Sequence, residues 1–334
     1  MTSFVKRRLK CRITLGARKF RDGSNVMEMT NARMLAEIHV VKGQAQNASI
    51  TIFGLHPENM NSIMTLKQAE IGTSFTKPNR IQLFMVDALG NELQVFEGQI
   101  FEALVDYNSA PNVPIRIAAT YFTAVMQGAS NNPDQKNNQK HDGISFKGER
   151  TVADIATEII RRYNESHPDE KKHRLVNEGV DLTLTDYASL GANLVAEFNA
   201  LKQAKNIEWH FKPTNNDVEI HINIPNQPSQ EASEIVLSRE NGMIGYPILT
   251  VDGCNVKALY SPFYSINDIV RVKSIVVRHI AVIDTGKEQY TEYTLPEMTF
   301  VATQMVHRVS SEMPGGPWET EFMLNRFIPK EGKK

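Results

Sequence analysis

Apolar and polar side chains alternate along the first third of the chain, which predicts short β-strands with one face in water. The period is clear from Leu9 to Leu15, where every second residue is apolar. It returns at 36–40, 50–52, 81–85, 93–95, 100–105 and 115–119. Pro57 begins a short stretch with helical spacing, and Gly98 is placed for a β-bulge. Residues 1–120 are therefore predicted to form a small β-barrel domain.

The hydrophobic period changes in residues 121–225, which are predicted to form an α+β module. Thr151 can cap a helix whose apolar face extends from Val152 to Tyr163, and a second helix is predicted over Leu190–Leu201. Strands are predicted at 144–146, and at 207–211 and 218–222 as a hairpin. Residues 127–143 contain almost no apolar side chain and predict a mobile loop.

A polar linker at 226–231 separates this module from residues 226–334, which are predicted to form a second β-barrel domain. A second mobile loop is predicted at 283–296. The predicted fold is therefore mainly β with an α+β insert. Two small β-barrel domains flank a helix–helix–hairpin module.

The composition is that of an ordinary globular protein. The 334 residues include 41% hydrophobic and 22% charged side chains, and this length suggests two or three domains. A net charge of −1 argues against nucleic-acid binding, which needs a basic excess. No apolar run reaches the roughly 18 residues of a membrane span, and no secretory signal is recognisable. Cys11 and Cys254 are predicted to be buried free thiols of a protein that folds in a reducing cytoplasm.

Two turn-rich segments in the second half carry the most informative pattern. Residues 240–247 read Glu-Asn-Gly-Met-Ile-Gly-Tyr-Pro, and residues 314–320 read Pro-Gly-Gly-Pro-Trp-Glu-Thr. Their order resembles the C-terminal part of baseplate central hub proteins of contractile-tailed bacteriophages, in particular the Mu-like tail hub family. Many hubs have a Pro-Gly-Asp turn where this chain reads Ser-Ile-Asn-Asp at 265–268, and Asn-Asp can form the same turn.

The resemblance implies a structural virion protein with no cofactor. Such a hub is a homotrimer that adapts the six-fold tail tube to the three-fold spike and leaves a central channel for DNA passage. The implied partners are other copies of the chain, the tail tube or tube-initiator protein, a separate spike protein and baseplate wedge proteins. The implied location is the virion tail baseplate, after assembly in the host bacterial cytoplasm. Candidate subunit-interface or structural-turn residues are Gly242, Gly245, Tyr246, Pro247, Gly315, Gly316 and Trp318.

No catalytic, cofactor-binding or metal site is predicted. His210 and His221 lie on neighbouring strands and are expected to share a solvent-exposed face, with no third ligand at a sensible spacing. His167 and His173 match no zinc motif, and Ser145 is interpreted as a strand residue rather than a nucleophile. Trp318 is interpreted as a core or interface aromatic in preference to a residue that stacks on a sugar. Basic residues at 6–12 are interpreted as a solvated strand face, with an acidic partner surface as the alternative.

A tail-associated cell-wall hydrolase or carbohydrate-binding β protein is the alternative function. It requires a cleft in which carboxyl groups and aromatic rings converge, and the aromatic residues are not grouped along the sequence. Size in solution separates the two functions. The hub is expected to form a ring-sized oligomer or aggregation-prone monomers, and the enzyme a well-behaved monomer with turnover.

Overall fold

The computed structural model describes residues 8–64, 79–87, 89–121, 144–166, 171–189, 194–214, 217–225, 227–228, 233–273, 277–282, 288–293 and 298–327. For 277–282 and 288–293 the backbone alone is described. The predicted loop at 127–143, together with Lys6, Arg7 and His167, lies outside these ranges. Within them, no helix is long and apolar enough to cross a membrane.

Within its described residues, and besides a 3-10 turn at Tyr107–Ser109, the first β segment contains seven strands and one short α-helix, as its alternating pattern predicts. In chain order they are β1 Arg8–Thr14, β2 Val26–Met29, β3 Met34–Val41, β4 Asn47–Phe53, α1 Pro57–Ile63, β5 Arg80–Val86, β6 Glu92–Val105 and β7 Pro114–Thr120. Leu9, Cys11 and Ile13 are fully buried, so the apolar positions of β1 do face the core. Pro57 occupies the first turn of α1, and the His56 side chain caps that helix by accepting from the Glu58 N–H.

The middle module follows as β8 Glu149–Thr151, α2 Val152–Ser166, β9 His173–Glu178, β10 Thr183–Thr185, α3 Leu194–Lys205, β11 Glu208–Pro213 and β12 Val218–Asn223. The Thr151 hydroxyl caps α2 by accepting from the Asp154 N–H at 3.0 Å, as predicted. The predicted strand around Ser145 is a single bridge to Ala188. The module has its own core, in which both helices cover the apolar face of a three-stranded sheet ordered β11-β12-β9.

The second β segment contains β13 Glu234–Leu237, β14 Met243–Leu249, β15 Gly253–Leu259, β16 Ile269–Val272, β17 Val277–Val282, β18 Glu288–Tyr293, β19 Met298–Ser311 and β20 Trp318–Arg326. Strand β18 falls inside the loop predicted at 283–296, and this part of the prediction is wrong. Its sequence, Glu-Gln-Tyr-Thr-Glu-Tyr, gives little apolar signal.

Both β segments belong to one 15-stranded sheet, referred to here as the main sheet. Its strand order is β18-β17-β14-β15-β20-β19-β3-β4-β7-β6-β5-β1-β2, with β16 and β13 branching from β19. The segments join where β3 pairs antiparallel with β19, from Met34 opposite Ser311 to Val41 opposite Gln304. Residues of both segments share one hydrophobic core. The mainly β class is confirmed, and the described strands close no barrel.

The β3–β4 turn of the main sheet covers the free edge of β11. The Gly43 N–H donates to the Trp209 carbonyl at 2.5 Å, and the Gln46 side-chain amide donates to the Phe211 carbonyl at 3.3 Å. The Tyr121 ring packs edge-on against the Phe211 ring, with ring centroids 5.8 Å apart. Backbone carbonyl groups at the edge of β11 therefore find their hydrogen-bond donors within the same chain.

Two local predictions in the first segment need correction. Gly98 is not in a bulge, because the register shifts of the β5–β6 and β6–β7 pairings lie on either side of it. Glycine is needed there for space, since a Cβ would lie 2.6 Å from the Phe96 ring. The described part of the basic segment is not an open cationic face. Lys10 Nζ lies 2.9 Å from carboxylate oxygens of both Glu28 and Glu92, so neighbouring strands neutralise it.

Candidate functional site

The two turn-rich segments meet at one corner of the main sheet. They flank the end of β15, where the Leu259 N–H donates to the Gly242 carbonyl at 2.8 Å. The next residue, Tyr260, donates its N–H to the Trp318 carbonyl at 3.1 Å. Residues that are more than 70 positions apart in sequence are thus held at the same place by backbone hydrogen bonds.

Glycine is required at several of these positions for backbone reasons. Gly242 and Gly245 have φ values of 85° and 71°, in the left-handed region that favours glycine, and the β14–β15 register shifts between Ile244 and Ile248. Gly315 has φ 66°, and a Cβ on Gly316 would lie 2.3 Å from the Ser310 Oγ. These glycines therefore shape the two turns of the second β segment.

The bulge in β14 presents an apolar surface to solvent. Tyr246 is 57% exposed, whereas the adjacent Pro247 is buried. The surrounding exposed apolar side chains come from β14, β15 and β20. We refer to the set Ile244, Tyr246, Ile248, Leu259 and Met323 as the β14 patch.

Trp318 has a different environment from Tyr246. Its side chain is half-buried against the main-sheet core, and its ring packs edge-on to Tyr260 with centroids 5.4 Å apart. Of the predicted interface aromatics, Tyr246 is therefore the one whose side chain is available to a partner.

A buried polar cluster lies between the middle module and the main sheet. Strand β12 pairs with both β11 and β9, and His210 is directly opposite His221. Glu178, two residues beyond the partner of His221 on β9, projects from the same face. Lys42 and Asn267 of the main sheet cover this face. We refer to Lys42, Glu178, His210, His221 and Asn267 as the junction cluster.

The prediction of an exposed histidine pair is wrong. His210 is 3% exposed and His221 is 7% exposed. The alternating pattern correctly assigned both histidines to the face opposite Trp209. The main sheet covers that face, and no local sequence pattern indicates that a distant part of the chain will do so. Glu178, the acidic neighbour, was missed because it lies more than 30 residues upstream, on a strand that was not predicted.

His221 contacts a carboxylate at each ring nitrogen. Its Nδ1 is 2.6 Å from Glu178 Oε1, and its Nε2 is 2.8 Å from Glu219 Oε2. The second oxygen of Glu178 accepts from the Asn267 side-chain amide at 2.9 Å. Asn267 has φ 69°, which fits its place in the turn where the hub pattern has glycine.

His210 stacks on His221, with ring centroids 4.8 Å apart and planes 20° from parallel. Neither ring nitrogen of His210 has a hydrogen-bond partner within the described residues. Burial lowers the pKa of His210 well below its ordinary value, and the nearby charges of His221, Lys42 and Lys212 lower it further. The imidazole is therefore neutral and keeps a free lone pair.

The Lys42 ammonium has a matched carboxylate. Its Nζ lies 3.0 Å from Glu208 Oε2, as an ion pair. Burial lowers the pKa of Lys42, while the charges of Glu208 and Glu178 oppose that shift. The charge of Lys42 therefore has an opposite partner in place of water.

Asp268 has the raised pKa that a general acid needs, but not the access. Burial raises its pKa to about 6. One carboxylate oxygen accepts from the Ser265 N–H at 2.7 Å, and the other accepts from the Ser233 N–H at 3.3 Å. Both oxygens are engaged in holding the turn before β16, which favours a structural role.

Neither a family model nor a curated protein sequence matches the chain, so the comparison with known proteins rests on the fold. The tail protein from Neisseria meningitidis MC58 superposes with a TM-score of 0.53 and 8% identity, over 95% of this chain and 96% of that one. The chain has a tail-protein fold. The E. coli c3393 protein superposes with a TM-score of 0.52 and 9% identity, over 90% of this chain and 74% of that one.

The c3393 protein is described as a component of the type VI secretion system with structural similarity to the T4 bacteriophage tail proteins gp27 and gp5. The resemblance to phage tail proteins is therefore confirmed at the level of the fold. At 8% and 9% identity the shared property is architecture, and no side chain of the β14 patch or the junction cluster is transferred from these proteins.

Proposed function

We propose that this protein is a structural subunit of the baseplate of a phage tail or tail-derived machine, and that three copies form its central hub. The observation that carries the proposal is the tail-protein fold, which extends over 95% of this chain and 96% of the Neisseria protein. A match over nearly all of both chains supports a role for the complete fold. The proposed location is the virion tail baseplate, after assembly in the host cytoplasm.

Symmetry gives the physical reason for this architecture. In the proposed trimer each subunit supplies its two β segments as tail-tube-like units, so that six units surround a central channel for DNA. The β3–β19 pairing supports this arrangement because it fixes the two segments of one subunit as neighbours. A ring with both three-fold and approximate six-fold symmetry can meet the tail tube or tube-initiator protein on one side. A separate spike would bind the other side, and wedge proteins the outside.

The β14 patch is the proposed subunit contact. Tyr246 lies at its centre between Ile244 and Ile248, while Lys257 and Glu319 on the neighbouring strands form an ion pair beside it. An aromatic anchor with apolar neighbours and a charged rim is the usual composition of a subunit interface. In this arrangement Gly242, Gly245 and Pro247 shape the bulge, and residues 315–318 hold the end of β15, the strand next to it, through the Tyr260–Trp318 hydrogen bond.

The same substitution at two exposed tyrosines tests the contact. We expect the wild-type protein to sediment as a trimer and to form three-fold rings in electron micrographs. Tyr246→Ala should weaken the subunit contact about 30-fold, since an anchor of this kind contributes about 2 kcal/mol. The control is Tyr107→Ala, because Tyr107 is 62% exposed but lies in the first β segment. It should leave the trimer intact.

The outcomes separate the hub from its proposed contact. A wild-type protein that remains monomeric at every concentration would refute the hub. A trimer that tolerates Tyr246→Ala as well as it tolerates Tyr107→Ala would refute the β14 patch while leaving the hub in place. Reproducible peptidoglycan hydrolysis by the pure protein, lost on changing a single carboxylate without loss of folding, would favour the hydrolase instead.

A further inference from the structure

Three neighbouring strands of the middle module bring three potential metal ligands to one point. His210, His221 and Glu178 come from β11, β12 and β9, and all three side chains are buried. One ligand atom from each lies within 4.8 Å of the other two. The tail function proposed above makes no use of this group.

His210 is the member that a purely structural role explains least. The residue is only 3% exposed, and both of its ring nitrogens lack hydrogen-bond partners within the described residues. An unsatisfied buried polar group destabilises the fold, and an apolar residue at this position would avoid that cost. A free lone pair directed into a group of ligands is what metal binding requires.

We propose that Glu178, His210 and His221 bind one Zn²⁺ ion between the middle module and the main sheet. Two imidazoles and one carboxylate form a ligand set that Zn²⁺ accepts, with a water molecule in the fourth position. The ion takes the place of the proton between His221 Nδ1 and Glu178 Oε1, which are 2.6 Å apart, and that proton is released to solvent. Ligand atoms around Zn²⁺ are about 3.3 Å apart, so the His221 and Glu178 atoms must separate slightly and His210 must rotate toward them.

Glu219 supplies the outer support that metal-bound histidines usually have. Its carboxylate accepts from His221 Nε2–H at 2.8 Å, which leaves Nδ1 to face the ion. Glu219 also pairs with Arg174, whose side chain is 57% exposed. Lys42 and Asn267 cover the site from the main sheet, and the Glu219–Arg174 pair lies beside His221 on β12 and β9.

The test uses tag-free wild-type protein, because a polyhistidine tag binds zinc. After incubation with Zn²⁺ and dialysis, we expect one ion per chain by elemental analysis, and a Tm that rises with Zn²⁺ concentration. His210→Gln and His221→Gln should each lose the ion and the rise in Tm. Glu219→Gln should weaken Zn²⁺ binding about 10- to 100-fold without abolishing it.

His39→Gln is the matched control, because His39 contacts a carboxylate, Glu37, but is partly exposed on the main sheet. It should bind Zn²⁺ like the wild type. Fewer than about one ion per ten chains in the wild type, or equal binding by His210→Gln and His39→Gln, would overturn the proposal. If His210→Gln does not fold, Co²⁺ added to the wild type decides. A visible spectrum that departs from that of the aqua ion supports imidazole ligation, and an unchanged spectrum opposes it.

Discussion

Protonation of His307 should weaken the seam between the two β segments. His307 lies in β19, opposite Ile38 of β3 and Thr320 of β20. Its Nδ1 shares a hydrogen bond with Thr320 Oγ1 at 2.9 Å, and its ring meets Tyr260 edge-on. Burial lowers the pKa of His307 from an ordinary 6.5 to about 4. The folded protein therefore holds this imidazole neutral under conditions in which the unfolded chain protonates it.

The sign and size of the effect follow from that difference in pKa. Between pH 6.5 and 4 the unfolded state binds more protons than the folded state, so stability is highest above pH 6.5 and falls as the pH is lowered. A pKa difference of about 2.5 units corresponds to a loss of about 3 kcal/mol below pH 4. About 2 kcal/mol of it should already be lost between pH 7 and pH 5.

The measurement compares urea unfolding of the wild type and His307→Asn across that pH range. Asn places an amide near the position of Nδ1, so it can keep the bond to Thr320 without titrating. Both proteins carry Trp209→Phe, which leaves Trp318 as the tryptophan that reports the main sheet. All other titrating groups are common to both, so their contributions cancel in the difference. Parallel curves for the two proteins would refute the reasoning, because His307 would then titrate alike in both states.

Two further substitutions test the packing and the charges of the main sheet. Gly253→Ala should cost about 3 kcal/mol or more in urea unfolding, because a Cβ there would lie 1.7 Å from the Leu324 carbonyl oxygen. Gly90→Ala, where nothing lies within 4 Å, should cost only the roughly 1–2 kcal/mol of left-handed backbone; equal losses would contradict this. Arg308→Met removes the link to Glu37 across the β3–β19 seam and should cost about 1 kcal/mol at low salt. A loss that does not shrink in high salt would show that packing rather than charge is involved.

Local features of the fold could be predicted because their causes are local. The Thr151 cap depends on a hydroxyl that accepts a hydrogen bond from an N–H group only three residues away. The alternating period of β1 places Leu9 and Cys11 in the core without any knowledge of its partner strands. The turn at Asn267 was also predictable, since asparagine tolerates the left-handed backbone that glycine adopts in the related pattern.

The remaining features depend on contacts between distant parts of the chain. Pairing of β3 with β19 joins residues about 270 positions apart, and neither strand carries a signal for its partner. The same limit applies to the histidine pair. A period of two assigns His210 and His221 to one face, but only Lys42 and Asn267, which are far away in sequence, make that face an interior. Sequence period identifies faces, and tertiary pairing decides which of them are buried.

The polar character of the junction has a consequence for assembly. The main sheet and the middle module have separate hydrophobic cores, and the contacts between them include Gly43 to Trp209, Gln46 to Phe211 and Asn267 to Glu178. Apolar contacts tolerate sliding, whereas hydrogen bonds and ion pairs lose their energy when their atoms move by an ångström or rotate. Buried charges contribute little net stability after desolvation, so their main effect here is to fix one orientation of the module on the sheet. The proposed ring of identical subunits would close only if every subunit had the same shape. A junction held by directional contacts, together with the proposed Zn²⁺, would meet that requirement better than a second apolar core.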